Sequence, residues 1–234
     1  MKLRNNRYIE YIPFHSIPKK RDIIMIFDTE TTGLFCPQYT PYMIQLAYIL
    51  YDTKSNVILE TFNEYIKLKP ALIIPDNSSN IHGITLDKIE NGVLIEDALA
   101  TFYHAYMKCG KIIGHNIKYD IQVIRAEIER NFELLKSIGC IHPEYLFQQE
   151  YQEKHRIKCI CTMYSTVKYC NLKKESKRLN KDGSKSYYIK FPKLEELYVL
   201  VFQKPVETKL HDALEDVKLC MECYLKLVDQ NHFD

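Results

Sequence analysis

Two carboxylates stand at the end of the first apolar run of the chain. Residues 22–29 read DIIMIFDT, and Asp28 and Glu30 lie at the carboxyl end of this run. Side chains alternate across a β-strand, so residues two positions apart project from the same face. Two oxygen donors on one face form a site that suits a hard cation such as Mg²⁺ or Mn²⁺. Acidic pairs are common on solvated strand edges, but this strand is otherwise apolar.

Further carboxylates lie where helices are predicted to begin. Asp120 follows the segment GHNIKY, and Asp216 lies five residues after His211. Taken alone, Asp120 reads as an N-cap residue. Asp212, followed three residues later by Glu215, has the form of a capping box that would leave His211 on a loop just outside the helix. Histidine ordinarily titrates near neutral pH, so this arrangement would set a proton carrier beside a rigidly held carboxylate.

The apolar patterns predict the elements that would position these groups. Strands are predicted at 22–29, 43–51, 57–68, 111–114 and 158–161, the first of them buried on both faces. Helices are predicted at 96–107, 120–135, 162–169, 193–201 and 213–229. Strands first, then helices alternating with short strands, indicate an α/β fold with a mixed sheet flanked by helices.

Taken together, the acidic motifs and His211 resemble the DEDDh family of 3′–5′ exonucleases, the DnaQ-like and ribonuclease T group. Residues 28–34, DTETTGL, match the first motif of that family residue for residue. Further matches are IHGIT at 81–85, CTM at 161–163 and PKLEELY at 192–198. The resemblance covers about residues 23–226. It implies a ribonuclease H-like fold with a mixed five-stranded sheet flanked by helices.

The resemblance also implies a site for phosphodiester hydrolysis. Asp28, Glu30, Asp120 and Asp216 would hold Mg²⁺ or Mn²⁺, two ions per site, and His211 would be the general base for the attacking water. The residues that it assigns to the terminal nucleotide are Thr29, Leu34, His82, Ile84 and Asn116. Core packing would account for Leu34 and Ile84 equally well, and a turn would account for His82.

The implied reaction releases nucleoside 5′-monophosphates from a free 3′ end. Single-stranded DNA or frayed 3′ ends are the expected substrate, and a polymerase or another replication or repair protein is a candidate partner. A 3′–5′ exoribonuclease is an alternative, because the sequence does not reveal contacts to a 2′-hydroxyl. A catalytically idle nucleic-acid-binding module and a small-molecule phosphodiesterase are others. The idle module is disfavoured because all five catalytic positions are filled.

Composition limits these alternatives less than the motifs do. The chain has 234 residues and a net charge of +2, which neither demands nor excludes a polyanionic partner. We expect an exonuclease domain at 22–230 preceded by an N-terminal extension at 1–21. The sequence has no run of about 18 apolar residues and no signal peptide, so we expect a cytoplasmic or nuclear protein without membrane contact. Eight scattered cysteines fit a reducing compartment.

The segment at 170–191 departs from a compact exonuclease. Between residues 168 and 193, nine lysines and arginines stand against two acids. We expect an inserted hairpin or loop with a turn at Asp182-Gly183, which is either solvated surface or a track for the strand upstream of the 3′ end. A zinc site is suggested by His155, Cys159, Cys161 and Cys170, but the tight Cys-x-Cys spacing argues against it.

Overall fold

A five-stranded sheet forms the centre of the computed structural model, which describes residues 22–70, 72–179, 184–208 and 210–232. The predicted N-terminal extension, residues 1–21, lies outside the described residues, as do Asp182 and Gly183 of the predicted turn. The sheet has the strand order β3-β2-β1-β4-β5. Its strands are β1 (Ile23–Thr31), β2 (Met43–Asp52), β3 (Val57–Tyr65), β4 (Lys111–Gly114) and β5 (Lys158–Cys161).

The sheet is mixed. β1 pairs with β2 and β2 pairs with β3 in antiparallel fashion, whereas β4 runs parallel to β1 and β5 runs parallel to β4. Parallel neighbours need crossover connections, and helices provide them here. The carboxyl ends of β1, β4 and β5 therefore lie along one side of the sheet, which we call the carboxyl edge. The predicted mixed five-stranded sheet flanked by helices is confirmed.

Helices account for most of the remaining described residues. They are α1 (Asp76–His82), α2 (Leu86–Ile89), α3 (Ile95–Lys108), α4 (Lys118–Arg130), α5 (Phe132–Ser137), α6 (Gln149–His155), α7 (Thr162–Ser165), α8 (Val167–Cys170), α9 (Leu194–Phe202) and α10 (Ala213–Asp229). Helix α10 has the predicted bounds, whereas α1 and α6 were not predicted. Within the described residues, no helix has the length and apolar character needed to cross a membrane.

Strand β1 supplies side chains to the cores on both faces of the sheet. On one face, the ring of Phe27 packs edge-on against Phe102 of α3, with 5.2 Å between ring centroids. On the other face, Ile24 and Ile26 share a cluster with Val217 of α10. Because side chains alternate along a strand, Asp28 follows Ile24 and Ile26 towards α10, and Thr29 follows Phe27 towards the opposite face.

Two predicted helices are each broken into shorter ones. The helix predicted at 120–135 ends at Arg130, and Asn131 separates α4 from α5. The helix predicted at 162–169 is divided at Thr166. In both places a side chain donates to the carbonyl four residues earlier, at 2.8 Å for Asn131 and 2.7 Å for Thr166. Such side-chain bonds compete with the helical backbone pattern, so they bend or end helices.

The basic segment forms an antiparallel hairpin of β6 (Lys173–Leu179) and β7 (Lys185–Ile189). The register pairs Lys173 with Ile189 and is interrupted between Glu175 and Leu179. Of the two predicted forms, a hairpin or a loop, the described residues therefore show the hairpin.

Candidate active site

Asp28 and Glu30 lie on β1 at the carboxyl edge. The strand continues past both residues to Thr31, and its register with β2 shifts between Glu30 and Thr31. Both acids are half-buried. Their shared face is the one covered by α10, as the alternation of strand side chains requires.

Asp120 reaches the same edge from α4. The helix begins two residues before it, at Lys118, so the interpretation of Asp120 as an N-cap is wrong. Its buried carboxylate accepts hydrogen bonds from the backbone N–H of Thr29 at 3.1 Å and from the Thr29 hydroxyl at 2.7 Å. The hydroxyl of Thr29 is therefore engaged in orienting a carboxylate. The predicted contact of Thr29 with the terminal nucleotide stays a prediction beside this contact with Asp120.

His211 and Asp216 come from the start of α10. Asp212 caps the helix, and its carboxylate accepts from the backbone N–H groups of Leu214 at 3.1 Å and Glu215 at 3.4 Å. The predicted cap is thus confirmed, although Glu215 accepts from Lys218 on the helix surface. Asp216 lies in the first turn, where the helix dipole favours negative charge.

His211 lies just outside α10, as predicted, and its side chain is exposed. Its backbone φ of 63° is in the left-handed region, which costs free energy for a residue other than glycine. The backbone of His211 lies close enough to the Asp216 carboxylate to oppose the rise of its pKa.

Three of these side chains form a group that can hold a metal ion. Among the described residues, potential ligand atoms of Glu30, His211 and Asp216 all lie within 4.8 Å of one another. Asp120 adjoins the group closely enough for its charge to raise the pKa of Glu30. Asp28 adjoins it too, because the charges of Asp120, Glu30 and Asp216 all raise the pKa of Asp28. Residues from three distant parts of the chain therefore meet at the carboxyl edge. The zinc alternative on His155, Cys159, Cys161 and Cys170 does not form such a group in the described residues.

The four carboxyl groups hold protons more tightly than isolated acids do. Burial, then the charges of Asp120 and Glu30, raise the pKa of Asp28 well above its ordinary value. Burial, then the charge of Asp216, raises the pKa of Glu30 to about 8. Burial also raises the pKa of Asp120 to about 7, against the hydrogen bonds from Thr29, and that of Asp216 to about 6. Desolvation and mutual repulsion both disfavour the charged forms, so the site favours protons or cations.

The donor set fits divalent cations. Oδ1 of Asp216 is buried and has no hydrogen-bond partner among the described residues, which leaves it available as a ligand. Carboxylate oxygens are the ligands that Mg²⁺ and Mn²⁺ prefer, and a positive ion at this place would remove the repulsion among the acids.

The raised pKa values predict a pH-dependent stability of the metal-free protein. Folding raises the pKa of Glu30, Asp120 and Asp216 to between about 6 and about 8, above the value of about 4 for unfolded carboxyl groups. The folded state therefore binds more protons, and this contribution to stability falls as pH rises from about 4 to about 8. Asp28→Asn should raise the melting temperature of the metal-free protein by a few °C at pH 8, because it replaces a carboxyl group whose charged form the site disfavours.

Calorimetry in EDTA at pH 5.5 and pH 8 checks this prediction, with the exposed Asp87→Asn as the matched control. Mg²⁺ should stabilise the wild-type protein at pH 8 more than it stabilises Asp28→Asn. An Asp28→Asn variant no more stable than Asp87→Asn at pH 8 in EDTA would contradict the repulsion described above.

Leu34 projects from a firmly held loop after β1. Its side chain is 76% exposed, which is unusual for leucine. The hydroxyl of Tyr119 donates to the carbonyl of Gly33 at 2.6 Å and shares a 2.7 Å hydrogen bond with the hydroxyl of Thr31. Tyr39 and Thr32 are joined by a hydrogen bond between their hydroxyls. The loop thus presents an apolar side chain to solvent beside the acids.

Two predicted nucleotide contacts are buried. Ile84 is 2% exposed and packs in a small cluster with Ile44 and Ile89, which is the core packing that the sequence also allowed. Its contact with substrate stays a prediction. His82 is also buried, and its Nδ1 accepts from the backbone N–H of Ile84 at 2.9 Å. Asn116 is exposed, and it has a left-handed backbone with φ of 64° just before α4.

The supporting residues Tyr119 and His115 were not predicted from the sequence. Tyr119 stands next to Asp120, and that position was the one available signal for it. His115 follows β4, and its ring nitrogens contact the hydroxyl of Thr162 at 2.9 Å and the carbonyl of Pro192 at 3.0 Å. Burial lowers the pKa of His115 to about 4, so the ring is neutral at physiological pH and acts as a structural link.

Comparison with known proteins gives a family. A family model described as an exonuclease, RNase_T, matches residues 25–224. The DNA polymerase III subunit epsilon of Buchnera aphidicola subsp. Schizaphis graminum is 31% identical over 118 residues, which cover 50% of this chain and 49% of that protein. A DNA polymerase III subunit epsilon-like protein of Rhodobacter capsulatus is 29% identical over 119 residues, which cover 50% of this chain and 16% of that protein. The chain therefore matches about half, or less, of the length of these relatives.

Solved structures share the fold. E. coli exonuclease I in complex with a 5cy-dA13 oligonucleotide superposes with a TM-score of 0.62 and 21% identity, over 90% of this chain and 41% of that chain. A product-bound exonuclease I gives a TM-score of 0.62 and 19% identity, over 92% of this chain and 46% of that chain. The family match at 25–224 spans all five residues of the acidic site. The resemblance to DEDDh exonucleases is thereby confirmed, and the chain belongs to the RNase_T exonuclease family.

Proposed function

We propose that this protein is a metal-dependent 3′–5′ exonuclease that releases nucleoside 5′-monophosphates from single-stranded DNA or frayed 3′ ends. The observation that carries the proposal is the convergence of Glu30, His211 and Asp216 within 4.8 Å, with Asp28 and Asp120 beside them. Membership of an exonuclease family supports the same conclusion.

Two divalent ions would supply what a phosphodiester requires, which is activation of the attacking water and neutralisation of charge on the departing oxygen. The carboxylates of Asp28, Glu30 and Asp216 would hold these ions, and Asp120 would complete the site. The hydrogen bonds from Thr29 fix the direction of the Asp120 carboxylate, so this ligand is oriented before any ion binds.

His211 would be the general base. Its exposed ring lies within reach of the carboxylates, so it can take a proton from the attacking water. The new bond forms between the water oxygen and phosphorus, and the bond from phosphorus to the 3′ oxygen of the preceding nucleotide breaks. That oxygen takes a proton from solvent, which leaves a shortened strand with a 3′-hydroxyl and a nucleoside 5′-monophosphate.

The loop after β1 would hold the terminal nucleotide. Leu34 is exposed and apolar, so it can pack on the face of an unpaired base, while Asn116 offers a polar side chain at the start of α4. The exonuclease I structures that share the fold include complexes with dA13 and dT13 oligonucleotides, which supports a single-stranded substrate. The relatives named as polymerase III epsilon subunits support a polymerase or another replication or repair protein as a partner. We assign this activity to a domain at residues 22–230.

The proposed pocket predicts a requirement for a free 3′-hydroxyl. A terminal 3′-phosphate adds charge where the acids converge, so it should block hydrolysis, as should an inverted terminal nucleotide. Chromatography of the products checks the prediction. Nucleoside 5′-monophosphates are the expected products from any strand that is cleaved, whether it is DNA or RNA. A closed circular single strand is the control and should stay intact. Efficient cutting of the circle, or release of 3′-monophosphates, would overturn the proposal.

A further inference from the structure

The β6–β7 hairpin exposes aromatic and basic side chains together. Tyr187 is 59% exposed, Tyr188 is 48% exposed, and Phe191, just after the hairpin, is 52% exposed. The exposed cationic side chains of the two strands are Lys173, Lys174, Lys177, Arg178 and Lys185. Glu175 is the single acid in these strands, and it pairs with Lys185 at 2.9 Å. The hairpin surface is therefore strongly positive.

The register distributes these groups over both faces of the hairpin. Lys174 stands opposite Tyr188, and Lys173 stands opposite Ile189. Residues directly paired across two strands share a face, so each face carries at least one lysine beside a tyrosine or an isoleucine. A hairpin of two strands is at best marginally stable alone in water. Exposed rings on such an element are expected to pack against something.

The base of the hairpin is fixed at the carboxyl edge. The His115 ring, five residues before Asp120, bridges the Thr162 hydroxyl at the end of β5 and the carbonyl of Pro192, just after the hairpin. Phe191 packs edge-on against Tyr164 of α7, with 4.8 Å between ring centroids. These contacts place the hairpin base beside the strand ends that carry the acidic site.

We propose that the β6–β7 hairpin binds the single strand of nucleic acid upstream of the 3′ nucleotide held at the acidic site. This inference rests on the proposed exonuclease function. Charge complementarity favours a polyanion over an ordinary protein surface, and phosphates would contact Lys173, Lys174, Lys177 and Arg178. Tyr188 is exposed and stands opposite Lys174, which is an arrangement on which an unpaired base can stack, so the strand is single rather than duplex.

Four variants separate the contributions of charge and stacking. The charge variant replaces Lys173, Lys174, Lys177 and Arg178 with alanine, and the ring variant carries Tyr187→Ala and Tyr188→Ala. The control variant removes four exposed charges elsewhere, with alanine at Lys54, Lys136, Lys154 and Lys226. Replacing Lys173, Lys174 and Lys177 with arginine keeps the charge and serves as the conservative variant. Melting temperatures show whether each variant is folded.

Binding of a 30-nucleotide single strand is measured by fluorescence anisotropy in EDTA over a range of salt concentrations. The charge variant should bind about tenfold or more weakly, and its salt slope should fall by about 0.7 for each phosphate that the variant no longer binds. The ring variant should bind about tenfold more weakly with an unchanged slope. The control and arginine variants should behave as the wild-type protein. A charge variant with the affinity and slope of the control would overturn the proposal and favour a protein-binding hairpin.

Hydrolysis of a dinucleotide with Mg²⁺ separates this proposal from the proposed function. A dinucleotide lacks the upstream strand that the hairpin would bind, so the charge variant should cleave it at the wild-type rate. The KM of that variant for the 30-nucleotide strand should rise about tenfold. A wild-type protein that hydrolyses neither substrate would contradict the exonuclease function, whereas the anisotropy result would still decide whether the hairpin binds nucleic acid. An equal decrease in rate on both substrates would show that the variant disturbs the acidic site, and that would overturn a separate upstream contact.

Discussion

Replacing Asp28 with asparagine is expected to reduce hydrolysis of a single-stranded oligonucleotide to the background rate. Asp28 stands among three other carboxyl groups, and burial together with the charges of Asp120 and Glu30 raises its pKa. A site of carboxylate oxygens acts through the divalent cations that it binds. Asparagine removes the negative charge of the Asp28 carboxylate and so weakens the binding of these cations. The measurement is the initial rate of nucleotide release, with Asp87→Asn as the control that should keep the wild-type rate.

Removal of the metal should have the same effect as the Asp28 substitution. EDTA is expected to abolish activity, and Mg²⁺ or Mn²⁺ should restore it. Ca²⁺ should fail, because its longer bonds and looser coordination misplace the reacting oxygens. Full activity in EDTA would contradict the metal mechanism, and an Asp28→Asn variant with the wild-type rate would contradict the role of this carboxylate.

His211→Ala is expected to lower kcat by about 10²–10⁴, the range for a positioned general acid or base. KM for the oligonucleotide should change little, because the histidine acts on the water rather than on the strand. Added imidazole should restore part of the missing rate. The exposed His142→Ala, on the loop before the 3₁₀ helix Pro143–Tyr145, is the matched control.

A ring nitrogen of His211 lies within 4.8 Å of carboxylate oxygens of Glu30 and Asp216, so His211 could also act as a metal ligand. The Mg²⁺ concentration that gives half-maximal activity distinguishes the two roles. It should be the same in wild type and in His211→Ala if the residue is a base, and it should rise severalfold if the residue is a ligand. A His211→Ala variant with both the wild-type kcat and the wild-type Mg²⁺ requirement would contradict both roles.

The sequence predicts the central sheet and α10 closely, because their signals lie in the residues of each element itself. The run at 22–29 is apolar at every core position, and α10 has both a strong apolar stripe and an N-cap, Asp212, whose carboxylate accepts from two backbone N–H groups. Such signals depend on neighbouring residues only, so they can be read without knowing the fold. The acidic motifs were also found from the sequence, because their spacing matches that of a family.

Features that depend on distant contacts were not predictable in the same way. The helix break at Asn131 comes from a side-chain hydrogen bond that competes with the backbone. The role of Thr29 depends on Asp120, which is 91 residues away in the chain. Ile84 was assigned to substrate by resemblance, but the cluster formed with Ile44 and Ile89 buries its side chain. Tyr119 supports the Leu34 loop through the carbonyl of Gly33, a contact that exists only in the folded chain.

The most direct test of the central claim is a time course with a single strand labelled at its 5′ end and bearing a free 3′-hydroxyl, in the presence of Mg²⁺. A metal-dependent 3′–5′ exonuclease should give a ladder of labelled products that shorten one nucleotide at a time from the 3′ end, and no ladder with Asp28→Asn. Immediate release of a labelled mononucleotide, internal fragments without a ladder, or an intact strand in the wild-type reaction would contradict that claim.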